Sequence, residues 1–274
     1  MAKKRGGQRK HWAEMARVWV WYHEIKQRSG WSDYSLDYEF AWTDESKASR
    51  SNDFRPRTFE WIRKSARKPA GQDPRWRGMH DLVVAVNQHP LFHGTQTIYM
   101  AEFWDMLQEQ TPTPSIVQMR IDRLLHTNDL VRIDPDAATE VAKLVTKYGR
   151  EQVFDRCLML SLRKVDSLSG MALVWLLYLQ TEPVQNWRFR EILESIADKQ
   201  LDVFFSHYFL LNLHLTYYTN AIDTLQHLRL DMSERPLQGY GYIETIGTWL
   251  ILPQELINSI SEDQLFSLDA LAFG

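Results

Sequence analysis

The chain has 274 residues, enough for about two domains of ordinary size, and its 44% hydrophobic and 24% charged residues exclude wholesale disorder, collagen and coiled-coil arrays. No apolar run reaches the roughly 18 residues that a spanning helix needs, because the stretches 171–179 and 204–215 are short or interrupted, so no integral membrane protein is expected. The net charge of −3 hides a bipolar chain: residues 1–80 hold 18 Lys+Arg against 10 Asp+Glu, a balance of +8, and the remainder holds 14 against 25, a balance of −11.

In chain order, residues 1–10 carry Lys3, Lys4, Arg5, Arg9 and Lys10 with little to bury, and read as a flexible basic arm. The arm leads into an amphipathic pattern rather than an apolar h-region, so no secretory signal is expected. Over 11–28 the spacing of Met15, Val18, Trp19, Tyr22 and Ile25 predicts a helix ending near Gly30. Ser32 is placed to cap a short helix over 32–40, and the polar stretch 43–53 reads as a loop. Pro56 suits the first turn of a helix reaching about Ala66, with Phe59 and Ile62 inward and Arg57, Lys64, Arg67 and Lys68 outside. Pro69 and Gly71 end it, and 68–78, with Arg75 and Arg77, reads as a linker or bound arm.

Beyond it, helices are expected over 79–87, 97–108 and 116–126, the last turning Val117, Ile121, Leu124 and Leu125 inward after a capped turn at Thr113-Pro114-Ser115. Leu130-Val131-Arg132-Ile133 reads as a short strand. A helical series follows over 141–148, 153–162, 171–179 and 188–228, and 240–252 has the composition of a hairpin. Seven of the eleven tryptophans (Trp12, Trp19, Trp21, Trp31, Trp42, Trp61 and Trp76) share the basic segment. Cations together with aromatic rings suit a polyanion with stackable bases, although most such rings serve as core anchors.

Residues 32–40, followed by Arg57-Thr58-Phe59-Glu60-Trp61-Ile62-Arg63-Lys64 and Ala66-Arg67-Lys68-Pro69, resemble the helix-turn-helix of Cro/C1-type repressors. The resemblance implies that Arg57, Thr58, Glu60, Arg63 and Lys64 face a major groove. The connection from Phe40 to Arg57 is longer than the tight turn of that family, and Ser65 stands near where its members often carry glycine. Residues 98–107 and 113–132 resemble a winged helix-turn-helix, which implies that Ser115, Gln118, Met119 and Arg123 lie near DNA. Asn128 would be the left-handed residue ahead of the strand, since Asn tolerates positive φ.

Catalytic signatures are missing: the chain has no G-x-x-x-x-G-K-[ST], G-x-G-x-x-G, G-x-S-x-G or H-E-x-x-H. His89 and His93 flank Pro90 and do not share a helical face, His207 and His214 read as core histidines, and Asp33, Asp37 and Glu39 read as salt-bridge partners of the basic helix. The single Cys157 excludes an internal disulfide, fits a reducing cytoplasm and reads as a core residue. No cofactor or metal is expected.

The sequence therefore predicts a mainly α protein of helical bundle domains with helix-turn-helix or winged-helix-like units and a few short strands. Residues 1–78 form a basic nucleic-acid-binding region, 79–135 a winged-helix-like unit and 136–274 an acidic helical domain. The expected role is DNA binding, duplex DNA in particular, by a cytoplasmic transcriptional regulator or the DNA-recognition subunit of a prokaryotic mobile-element or phage-defence system. The expected contacts are Lys3, Lys4, Arg5, Arg9, Lys10, Arg55, Arg57, Thr58, Arg63, Lys64, Arg67, Lys68, Arg75, Arg77, Ser115, Gln118 and Arg123. The acidic part would mediate a homodimer or hold a protein partner. The alternatives are a non-catalytic subunit of a nucleoprotein assembly and an effector enzyme with a site at His207, Tyr208, His214 and Tyr217.

Overall fold

A computed structural model describes residues 10–41, 56–69, 81–108, 113–133, 139–163, 167–180, 187–209, 211–234, 250–256 and 260–266. The protein is mainly α-helical. Cα proximity divides it into two compact units, 1–108 with 204–221, and 109–203 with 222–274.

The first unit is organised by helix α1, Trp12–Ser29. His11 caps its start, with Nδ1 accepting the Ala13 N–H at 3.3 Å, and Gly30 ends it at φ 65°, where a side chain would be strained. Val18, Tyr22 and Ile25 are buried as their spacing predicts, whereas Met15 and Trp19 are only partly covered. Ala13, Ala16, Val20 and Trp21 are buried as well. A helix buried on more than one side sits inside its unit rather than on its surface.

Ser32 caps α2, Asp33–Leu36, by accepting the Ser35 N–H at 3.0 Å, and the chain continues as a π-helical turn, Asp37–Ala41. Helix α3, Thr58–Ser65, starts after Pro56 rather than at it, because Arg57 adopts a left-handed conformation at φ 51°. Ala66, left-handed at φ 44°, stops the helix ahead of Pro69. Phe59 and Ile62 are fully buried, as predicted, and Phe59 stacks on Trp21 at 6.3 Å between ring centroids.

Helix α4, Asp81–Gln88, and a 3-10 turn, Pro90–Phe92, complete the same core. The single helix expected over 97–108 is two, α5 (Thr95–Tyr99) and α6 (Glu102–Met106), because Ala101 is extended. The Trp104 indole donates to the Ile98 carbonyl at 2.8 Å, satisfying an acceptor at the break. Phe204, Phe205, Phe209 and Tyr217, far along the chain, place their rings against Trp12, Trp19, His23, Phe103 and Trp104 or against one another within this unit.

In the second unit α7, Pro114–Thr127, packs on α10, Ser167–Gln180. Every residue from Met171 to Leu179 of α10 is buried. After α7 the left-handed residue is Asp129 at φ 52°, not Asn128 at φ −105°; the short Asp side chain tolerates the conformation nearly as well as Asn. Strand β1, Leu130–Ile133, forms where expected, but its antiparallel partner is β2, Leu250–Pro253, with Leu130 opposite Pro253 and Ile133 opposite Leu250. The predicted hairpin over 240–252 is thus corrected for its last residues, which pair with a remote strand, and 240–249 lie outside the described residues.

Helices α8 (Thr139–Tyr148) and α9 (Arg150–Arg163) meet at Gly149, φ 85°, and bury Val141, Val153, Phe154 and Cys157 against Leu252 and Leu265. The long run over 188–228 is two helices, α11 (Trp187–Tyr208) and α12 (Leu211–Glu234). Helix α13, Glu262–Phe266, stacks Phe266 on Tyr148 at 4.1 Å.

Truncating Phe59 or Ile62 to Ala removes a fully buried side chain from the core shared by α1 and α3. Urea unfolding of either variant should show a loss of about 2–5 kcal/mol, with Trp61→Ala, at an exposed position of the same helix, losing about 0.5 kcal/mol or less.

Candidate nucleic-acid interface

The periodicity of α3 splits it into two faces. Phe59 and Ile62 lie in the core, and Thr58 is buried beside them. Arg57, Trp61, Lys64 and Ser65, spaced by three and four residues, are exposed. Trp61 is 47% exposed and has no ring partner among the described residues.

Both ends of the helix are held from α1 and α2. At the N-terminus the buried Asp37 carboxylate accepts the Phe59 N–H at 3.0 Å. A carboxylate there meets unpaired N–H groups and the positive end of the helix dipole, which offsets its desolvation. At the C-terminus the Trp19 indole donates to the carbonyls of Ile62 and Arg63 at 3.2 and 3.1 Å. The Lys10 ammonium donates to those of Ser65 and Ala66 at 3.0 and 2.9 Å. Burial and the nearby charges of Arg67 and Lys68 pull the Lys10 pKa down, so three cations gather at this end.

Several cations of this region are already matched by carboxylates. Arg63 bonds Asp33 at 2.8 Å, Lys64 bonds Glu60 one turn away at 2.6 Å, and Lys68 pairs with Glu14. Asp33 also accepts the Tyr22 hydroxyl at 2.5 Å and lies 3.9 Å from Lys26. Burial opposes ionisation of Asp33, but the hydrogen bonds from Tyr22 and Arg63 and the charges of Arg63 and Lys26 outweigh it and hold the carboxyl below its usual range. Burial, then the bond to Asp33, pushes the Tyr22 hydroxyl pKa up. Lys10, Arg57 and Arg67 form no ion pair among the described residues.

Of the residues expected to touch DNA, Lys3, Lys4, Arg5, Arg9, Arg55, Arg75 and Arg77 lie outside the described residues. Thr58 is buried and presents nothing to a groove. The structure brings Lys10, Arg57, Lys64, Arg67 and Lys68 together on or beside α3, with Arg63 at its edge. Ser115, Gln118 and Arg123 belong to α7 in the other unit. There Ser115 and Arg123 are exposed next to Ile116 and Met119, while Gln118 donates to Asp122 at 2.8 Å. Asp122 also lies 3.2 Å from the Arg132 guanidinium, whose pKa burial lowers.

Residue by residue, the sequence reading passed over Trp61 as a surface group and Asp37 as a cap. Trp61 had a signal in its place four residues after Arg57 and three before Lys64. Asp37 was legible as an acidic partner of the basic helix, but the structure has it bond the Phe59 N–H, 22 residues away.

The residues of the alternative enzyme site are spread over different tasks. Tyr208 donates to Glu24 at 2.9 Å, His214 is buried, His207 is exposed, and burial pushes the Tyr217 hydroxyl up to about 12. The Cys157 thiol is likewise pushed up to about 12 by burial, which leaves it protonated at neutral pH. No group of three or more His, Cys, Asp or Glu suited to a metal occurs among the described residues. A cleft of about 390 Å³ in the second unit is lined by Trp175, Tyr178, Glu194, Ser195, Asp198, Ile222 and Gln226, an acidic rim that would repel a polyanion. No helix of the described residues is long and apolar enough to cross a membrane. Compared with known proteins, the chain matches no family model, no curated protein and no solved structure.

Asp33 predicts a pH dependence. Its folded-state pKa is depressed, so its stabilising effect is complete above the unfolded carboxylate value and is lost as pH falls through the folded one. Thermal unfolding followed from pH 7 downward should show stability falling below about pH 4, and Asp33→Asn, which cannot ionise, should be less stable at neutral pH and show a shallower fall.

Proposed function

We propose that this is a nucleic-acid-binding protein whose first unit contacts DNA through the outer face of α3. The observation that carries the reading is the exposed Trp61 set between Arg57 and Lys64, with Lys10 and Arg67 beyond the helix end, on a helix whose other face is fully buried. A rigid core holds this face in place, cations supply phosphate contacts, and an aromatic ring supplies a surface for a base or sugar. Lys3, Lys4, Arg5 and Arg9 add four further cations to the same part of the sequence. In this reading the protein acts in the cytoplasm as a transcriptional regulator or as the DNA-recognition subunit of a mobile-element or phage-defence system, and its acidic portion serves dimerisation or a protein partner. The resemblance to repressor helix-turn-helix units supports that setting.

The ion pairs lower the expected number of phosphates. Among the described residues Arg57 and Arg67 have no ion pair to give up, Lys10 keeps its charge but holds the Ser65 and Ala66 carbonyls, and Lys64, Arg63 and Lys68 become available only after giving up Glu60, Asp33 and Glu14. Binding of labelled DNA measured against salt should therefore give a log–log slope of roughly −2 to −5, at about −0.7 per phosphate for a single strand and −0.9 for duplex. Arg57→Ala and Arg67→Ala should each flatten it by about one unit while leaving the unfolding midpoint unchanged. A slope near zero would overturn the reading.

A further inference from the structure

We infer that the face of α3 takes an unpaired nucleic-acid strand, with Trp61 as the platform on which one base stacks. The inference rests on the nucleic-acid reading above and names its substrate class. A recognition helix that reads duplex DNA offers the side chains of its N-terminal turn to base edges. In α3 that turn is closed: Thr58 and Phe59 are buried, and the Asp37 carboxylate takes the Phe59 N–H and sets a negative charge where a phosphate would otherwise approach. What remains open is the middle of the helix, where Trp61 stands 47% exposed, and the C-terminal end, where Lys10, Arg67 and Lys68 gather.

An indole ring has little to gain from base edges or from a stacked duplex wall. It gains most from the face of a base that has left its stack, which every unpaired nucleotide offers regardless of sequence. The charges on either side fit that occupant. Arg57 lies one turn before Trp61 and Lys64 one turn after, about 10 Å apart along the helix at 1.5 Å per residue, so a phosphate on one side of a stacked base meets Arg57 and one on the other side meets Lys64 once it exchanges Glu60 for the phosphate. An apolar protein surface would satisfy the ring but offer nothing to Arg57, which has no ion pair among the described residues, and nothing to draw Lys64 from Glu60.

The test uses the full chain, a fluorescein-labelled single strand of about 20 nucleotides without self-complementarity, and the matching duplex, titrated by anisotropy at low and near-physiological salt. Trp61→Ala and Trp61→Leu should weaken single-strand binding by roughly 5- to 150-fold, the effect of losing one stacked base. Trp61→Phe should stay within about threefold of the parent, and duplex binding should change by less than about threefold in all three variants. The Leu variant keeps an apolar helix-forming side chain, so equal melting temperatures for it and the parent separate lost stacking from lost folding. Single-strand binding that is indifferent to Leu, or duplex binding that falls by the same factor, overturns the inference while leaving the nucleic-acid reading in place. A parent protein that binds neither strand form overturns both.

Discussion

Helix α3 is eight residues long, and in water a helix of that length has no stability of its own. It exists because the Asp37 carboxylate takes its Phe59 N–H, because Trp19 and Lys10 take the carbonyls at its other end, and because Phe59 and Ile62 fill the core beside Trp21. Each bond joins α3 to a different part of α1, the arm or the α2 turn, so the helix is fixed in position and also in rotation about its axis. That rotation is what turns Arg57, Trp61 and Lys64 outward. The buried Asp37 is costly to desolvate, and its position at a helix N-terminus is the circumstance in which a carboxylate recovers that cost.

Charge in this region is a matter of geometry as much as of count. The first 80 residues carry a balance of +8, yet Arg63, Lys64, Lys68, Arg17 and Arg28 are each bonded to a carboxylate of the same unit. The pairs whose cation is exposed, those of Arg63, Lys64 and Lys68, contribute about 0–1 kcal/mol each. They are weak enough to exchange for phosphate, and they keep the free surface from acting as a uniformly positive field. Of the cations left without such partners among the described residues, Arg57 stands one turn before the exposed indole, and Lys10 and Arg67 gather at the C-terminal end of the helix.

The second unit depends on long-range pairing. Strands β1 and β2 have four residues each, too short to persist as an isolated ribbon. Leu252 contributes to the core with Val141, Val153 and Cys157, so the pairing is supported by burial as well as by its hydrogen bonds. Near the end of the described chain, Glu262 bonds Lys147 at 2.6 Å and also takes the Tyr148 hydroxyl, while Phe266 covers the Tyr148 ring.

Local signals settled much of this in advance. The His11 to Gly30 limits of α1, the Ser32 cap, the inward Phe59 and Ile62 and the strand at 130–133 all follow from periodicity, capping and turn chemistry, which act over a few residues and are written in consecutive letters. The mainly helical class and the concentration of cations near the N-terminus were equally legible. The remote partner of β1 was not, because it lies far along the chain at Leu250–Pro253, and the break at Ala101, the left-handed Asp129 and the burial of Thr58 carry no mark in periodicity or composition. The same holds for the candidate site. Composition placed tryptophan and cations in one segment, but which tryptophan stays outside and which cations stay unpaired were decided by Asp37 reaching across 22 residues and by Asp33, Glu60 and Glu14 lying within bonding distance of Arg63, Lys64 and Lys68.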